Sequence, residues 1–184
     1  MTGHYITIEV DVAEEDLAYQ LFKLPADVET PLRTTIKNVS REAYAFFRME
    51  GQQFPEFEMQ DLAGNTYNLD QLTGKTTLFK TWFIGCKACI AEFPELNDLV
   101  DAYEDDERFQ FISLATDAPD RLGRFLAKKD FNYQVVAEQQ DFITGTLGLN
   151  VYPTHIVVGA DGTIQKVVSS SKQLLAYMER SKNK

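Results

Sequence analysis

Trp82-Phe83-Ile84-Gly85-Cys86-Lys87-Ala88-Cys89 contains both cysteines of the 184-residue chain. An apolar run from Thr77 to Ile84 leads into it, and Ile90, Phe93, Leu96, Leu99, Val100 and Tyr103 lead out at helical spacing. The pattern reads as a buried strand, a turn and an amphipathic helix. Residues three apart are neighbours on a helix surface, so two thiols at this spacing can meet and close a short disulfide ring. If the motif opens the helix, the free N–H groups and dipole there favour a thiolate at Cys86, lowering its pKa from ~8.5 towards roughly 3.5–7.5. Lys87 adds a positive charge beside it. Cys89, one turn further in, is expected to stay protonated until it attacks a mixed disulfide. Cys86 is therefore the candidate nucleophile and Cys89 the candidate resolving thiol.

Two buried, inert cysteines are the plain alternative, but strand, turn, CxxC and helix in this order is the context that redox chemistry requires. A structural zinc site needs four ligands. The chain offers only the two cysteines with His4 and His155, far apart in sequence, so no metal site is expected.

The hydrophobic fraction of 44% is enough to build a core in a chain of this length. The formal net charge of -10 argues against nucleic acid as a ligand, because phosphate binding rests on clustered Lys and Arg. With both cysteines in one motif there is no structural disulfide framework from which to read the compartment. Met1 to Val12 lacks a basic segment followed by an apolar one, and no stretch approaches the ~18 apolar residues of a membrane span. An exported form would carry its signal outside this sequence.

In chain order, Tyr5 to Val12 alternates with a period of two, as a half-buried strand does. A helix over Glu14 to Leu24, a strand over Leu32 to Val39 and a helix capped by Ser40 and running to Arg48 are expected next. This first part, residues 1–50, is an extension without a readable motif. From Gly51 the pattern sharpens: Asp61-Leu62-Ala63-Gly64-Asn65 reads as a hairpin turn. Gly74-Lys75-Thr76 is no phosphate loop, since Leu69 stands where that loop needs glycine. Beyond the CxxC helix the expectations are a strand over Phe109 to Ala115, a helix over Asp120 to Lys129, a short strand over Tyr133 to Val136 and a helix over Gln140 to Leu147. Ile156 to Val158 and Thr163 to Val168 then form a hairpin through Ala160-Asp161-Gly162, where Asp-Gly suits the positive φ angles of a tight turn. A helix over Ser171 to Arg180 closes the chain. The fold class is α/β, a central mixed sheet flanked by helices.

This order of elements resembles the thioredoxin fold and, more narrowly, the TlpA/ResA-like branch of the redoxin superfamily, related to AhpC/TSA proteins. The matching pieces are Gly51-x-x-Phe54-Pro55-x-Phe57, Asp61-x-x-Gly64, Leu69-x-x-Leu72-x-Gly74-Lys75, Trp82-x-x-x-Cys86-x-x-Cys89-x-x-Glu92-x-Pro94, Gly148-x-x-x-Tyr152-Pro153-Thr154 and Asp161-Gly162. They span residues 51–184, the expected thioredoxin-like domain. The resemblance implies a thiol-disulfide oxidoreductase working as a reductase outside the cytoplasm of a bacterium, with protein disulfides as substrates and an upstream thiol electron donor. It implies no cofactor beyond the redox-active Cys86–Cys89 disulfide. It also implies a cis Pro153 lying against the CxxC, with Tyr152 and Thr154, together with Gly85 and Lys87, as substrate contacts.

The departures from that family are informative. Gly85 stands where tryptophan is usual, implying a flatter and more open rim, and Ala88 stands where proline is common. Lys80 occupies a position that is often aspartate or asparagine; pointing inward it would favour the Cys89 thiolate, whereas a strand lysine more often snorkels to water. Glu92 either accepts the Cys89 proton or complements the helix start. Trp82 is expected to pack beneath the CxxC, and His155 to be a structural residue on the opposite face of the sheet. Three rival functions remain. A peroxiredoxin would place a threonine in the turn before its reactive cysteine, where this chain reads Phe83-Ile84-Gly85. A copper chaperone would hold Cu(I) with Cys86, Cys89 and His155. A binding module with a vestigial redox pair would use the N-terminal segment as its interface.

Overall fold

The computed structural model describes Phe46 and residues 48–182. The elements expected between Tyr5 and Ser40, and His4, lie outside the described residues. Phe46, Arg48 and Met49 are helical. The strands are β1 (Glu58–Gln60), β2 (Thr66–Asn68), β3 (Thr76–Trp82), β4 (Phe109–Ala115), β5 (Gln134–Val136), β6 (Thr154–Val158) and β7 (Ile164–Val168). The helices are α1 (Leu69–Leu72), α2 (Lys87–Ala91), α3 (Phe93–Asp101), α4 (Pro119–Leu126) and α5 (Ser171–Lys182). Among the described residues no helix is long and apolar enough to cross a membrane.

β1 and β2 form an antiparallel hairpin. Its turn is organised by Asp61, which accepts hydrogen bonds from the Ala63 and Asn65 N–H groups, the Asn65 side chain and the Tyr67 hydroxyl. The main sheet runs β5-β4-β3-β6-β7. β3 lies at its centre, parallel to β4 and antiparallel to β6. Covered on both faces, β3 reads as a nearly continuous buried run rather than an alternating one. Its residues still divide between two cores. Phe79 faces a core with Phe54, Ile112, Leu114, Ile143 and Ile156. Leu78 joins Leu96, Leu99, Val157 and Leu174 under α3 and α5, and Trp82 joins both cysteines.

Two expected helices take a different form. The amphipathic stretch after the CxxC is broken at Glu92 into α2 and α3, with Pro94 in the first turn of α3. Proline has no N–H to donate and its ring crowds the carbonyl four residues back, so one continuous helix cannot pass through it. The stretch Gln140 to Leu147 becomes a π-helical turn over Phe142–Thr146, in which the Leu147 N–H donates to the Phe142 carbonyl five residues back. That turn drops Ile143 into the core and delivers the chain, through Gly148 at a φ of 67°, towards the Tyr152–Pro153 corner.

The packed unit reaches back beyond the boundary expected at residue 51. Phe46 is buried in the core around Phe54, and the Gly51 N–H donates to the Ile164 carbonyl. The Glu50 carboxylate accepts the Val167 N–H and pairs with Lys166.

Candidate active site

β3 ends at Trp82, and Phe83 to Gly85 turn the chain into α2 with Cys86 as the N-cap residue. Cys86 and Cys89 are joined as a disulfide. The Cys89 N–H points at the Cys86 sulfur at 3.1 Å. When the pair is reduced, that N–H is placed to stabilise a thiolate on Cys86, because a hydrogen bond to the charged form favours it. The two sulfurs differ in access: Cys86 retains 7% exposure and Cys89 none. Geometry and access therefore both select Cys86 as the atom that meets another molecule.

The loop before Cys86 is held by a residue that sequence reasoning missed. Asp117, just beyond β4, accepts the Ile84 N–H at 2.7 Å through one carboxylate oxygen and pairs with Arg121 at 3.0 Å through the other. Asp117 and Ile84 are brought together only by the parallel pairing of β3 and β4, so no local pattern announces the contact.

Trp82 packs where expected. It is fully buried in the cluster that contains both cysteines, edge-on to Phe93 at 5.2 Å and to Phe131 at 5.7 Å. Above it the rim is less flat than glycine at 85 suggested. A Cβ built on Gly85 would sit 3.2 Å from the Phe83 ring, and that ring meets Tyr152 edge-on at 5.3 Å. An aromatic from position 83 therefore covers the side of the site that a side chain at 85 would otherwise fill. Lys87 and Gly85 are exposed beside Cys86.

The Tyr152–Pro153 peptide bond is cis. Tyr152 is half-buried and stands at the rim. Thr154, expected to contact substrate, is instead fully buried and internally committed. Its N–H donates to the Thr81 hydroxyl at 3.0 Å and its own hydroxyl to the Val151 carbonyl at 2.7 Å. It pins the corner in place; Pro153 is buried as well, and of the three only Tyr152 keeps partly exposed surface at the rim.

Beneath the motif lies a buried polar cluster. Lys80 does not snorkel to water; it is 0% exposed, with its Nζ 2.6 Å from Glu92 Oε2 and 6.0 Å from the Phe93 ring centroid. His155 does not lie on the opposite face. It is the register partner of Lys80 across β3 and β6, and its Nε2 is 3.0 Å from the same Glu92 oxygen. The other Glu92 oxygen accepts the Ser171 N–H at 2.8 Å, tying the break between α2 and α3 to the start of α5.

These contacts set the protonation states. Burial disfavours charge on Glu92, but the His155 hydrogen bond and the Lys80 ammonium outweigh it and bring the carboxyl down to about 2. Burial, reinforced by the Lys80 charge, holds His155 below its ordinary range despite Glu92. A neutral His155 serves Glu92 as an N–H donor, so the positive charge facing the carboxylate is that of Lys80. Burial also lowers Lys80, against the pull of Glu92. The Tyr133 hydroxyl nearby is raised, by burial first and then by the Glu92 charge. A carboxylate held this firmly ionised is a poor acceptor for the Cys89 proton. Nor does the Glu92 side chain make a cap bond to α3; it binds Lys80, His155 and the first N–H of α5 instead. His155 turns its Nε2 to Glu92 and is fully buried beneath the motif. Among the described residues no group of three metal-ligating side chains occurs.

The AhpC/TSA family model matches residues 50–167, most of the described chain. The chain belongs to the AhpC/TSA family. Within it, this AhpC/TSA protein is similar to the thiol-disulfide oxidoreductase ResA of Bacillus cereus, 27% identical over 134 residues, 71% of this chain and 77% of that protein. The ResA of Bacillus anthracis matches to the same extent. Among solved structures, the thioredoxin domain of a thiol-disulfide oxidoreductase from Bacteroides vulgatus superposes with a TM-score of 0.63 at 24% identity. That match covers 71% of this chain and 96% of that one, and supports the fold. With its CxxC pair at the end of the central strand, this TlpA/ResA-like member of the AhpC/TSA family is a thiol-disulfide oxidoreductase.

Proposed function

We propose that the protein reduces disulfide bonds in other proteins outside the cytoplasm of a bacterium, with Cys86 and Cys89 as its only electron carriers. The carrying observation is the asymmetry of the pair, a reachable Cys86 whose sulfur faces the Cys89 N–H and a fully buried Cys89 behind it. The Cys86 thiolate attacks one sulfur of the substrate disulfide; a Cys86–substrate bond forms, the substrate S–S bond breaks, and the departing thiolate takes a proton. Cys89 then gives up its proton and attacks the Cys86 sulfur. The second substrate thiol leaves, the enzyme holds the intramolecular disulfide, and the substrate has gained two electrons and two protons. A dithiol donor upstream restores the reduced pair. Tyr152, set by the cis bond to the buried Pro153, forms the wall against which the substrate chain lies, and Gly85 and Lys87 complete the rim. Oxidising compartments are where protein disulfides persist, which fits the reductive role there.

The test is reduction of a disulfide-bonded protein by the pre-reduced enzyme. Cys86→Ser should abolish it, and Cys89→Ser should accumulate a mixed disulfide through Cys86, visible as a mass adduct released by dithiothreitol. Absence of the adduct would sink the assignment of attacking and resolving thiols.

A further inference from the structure

Beside the CxxC loop, an open groove of about 360 Å³ is lined by Ile84, Arg121, Arg124, Phe125, Lys128 and Lys129. We infer that this groove docks an acidic stretch of the polypeptide whose disulfide Cys86 attacks, so that substrates with Asp or Glu near the cystine are preferred. The inference rests on the thiol-disulfide reading above and names its substrate class.

Three observations carry it. The first is charge: the chain has a formal net charge of -10, yet this groove is lined by four cationic side chains and no carboxylate. Among the described residues Arg124, Lys128 and Lys129 have no ion-pair partner, and Arg121 pairs only with Asp117. The second is arrangement. Arg121, Arg124, Phe125 and Lys128 follow one another at spacings of three, four and seven, which places them along one face of α4 and its continuation. The exposed cations border a floor formed by half-buried Ile84 and Phe125, a mixed lining suited to a peptide rather than to a free anion. The third is connection. Asp117 holds the Ile84 N–H with one oxygen and Arg121 with the other, so the groove and the loop carrying Cys86 are fixed to the same carboxylate. A chain seated in the groove is thereby placed beside the nucleophile. On a surface of net negative charge, a local reversal of sign gives orientation and partner choice more than bulk attraction.

The experiment uses the pre-reduced full chain and three synthetic peptides with the same intramolecular cystine, flanked by Asp and Glu, by Asn and Gln, or by Lys. A small neutral disulfide, hydroxyethyl disulfide, reports the CxxC chemistry alone. The wild-type kcat/KM is expected to favour the acidic peptide over the neutral one by about tenfold, the scale of a few partly exposed ion pairs. In Arg124→Glu/Lys128→Glu that preference should vanish or turn towards the Lys-flanked peptide. Equal kcat/KM for the acidic and neutral peptides in the wild type, or a preference that survives the double charge reversal, overturns the inference while leaving the reductase reading intact. If neither the peptides nor hydroxyethyl disulfide are reduced, the reductase reading fails and this inference falls with it.

Discussion

Removing the Lys80 charge tests the buried cluster most sharply. In Lys80→Met the stem is kept and the ammonium lost, leaving the Glu92 carboxylate with only the His155 and Ser171 N–H groups. The carboxyl is held at about 2 against an ordinary 4.5, by the His155 hydrogen bond first and then by Lys80. The Glu92 side chain keeps 13% exposure, which tempers the cost of leaving it unpaired. Losing the only cation facing it among the described residues should therefore cost about 2–3 kcal/mol, towards the low end for breaking a buried pair. Urea denaturation of the oxidised protein at pH 7 measures it. Lys80→Met/Glu92→Gln should recover much of the loss, since no charge is left unpaired: the amide oxygen accepts the Ser171 N–H and its NH2 donates to His155 Nε2 in the other tautomer. The pH dependence follows from the sign of the shift. A depressed carboxyl stabilises the fold above its unfolded value of 4.5 and loses that contribution as pH falls through about 2. The gap between wild type and Lys80→Met should accordingly narrow towards pH 2–3. A single-variant cost under about 0.5 kcal/mol, or a double variant whose loss is the sum of both singles, would refute the claim that the pair is coupled.

Other expectations concern neighbouring parts of the site. His155 is kept neutral by burial, whereas in the unfolded chain it protonates below 6.5. Stability should fall as pH drops below that value, and His155→Gln should flatten the slope between pH 6.5 and 4.5 in denaturation curves. Asp117→Ala removes the acceptor of the Ile84 N–H and should cost about 1–2 kcal/mol and lower kcat/KM, while Asp117→Asn keeps most of both. Gly85→Ala places a Cβ 3.2 Å from the Phe83 ring and should cost up to about 1 kcal/mol, a cost that disappears in a Phe83→Ala background.

The fold was legible wherever the signal was local. The run through Thr81 and Trp82 into CxxC, the strand from Phe109 to Ala115 and the Asp161-Gly162 turn each stand in the sequence nearly as they stand in the structure. What escaped depends on partners distant in sequence. A strand buried on both faces removes the alternation that would tell which way Lys80 points, and its direction is settled by a carboxylate from the helix break at Glu92. His155 joins that cluster because β3 and β6 pair in the register that sets it beside Lys80. Asp117 reaches Ile84 across 33 residues, with no motif to mark it. The π-helical turn before Gly148 is helical in spacing, and its shift of one residue in hydrogen bonding leaves no compositional trace.

The most direct test of the account is a glutathione redox titration of the Cys86–Cys89 pair, followed by mass after thiol alkylation and by the fluorescence of Trp82, the single tryptophan, which packs in the same cluster as both cysteines. A reversible two-electron transition below about -220 mV is the result expected of a disulfide reductase. A pair that never forms a disulfide, or forms one that cannot be reversed, would contradict it.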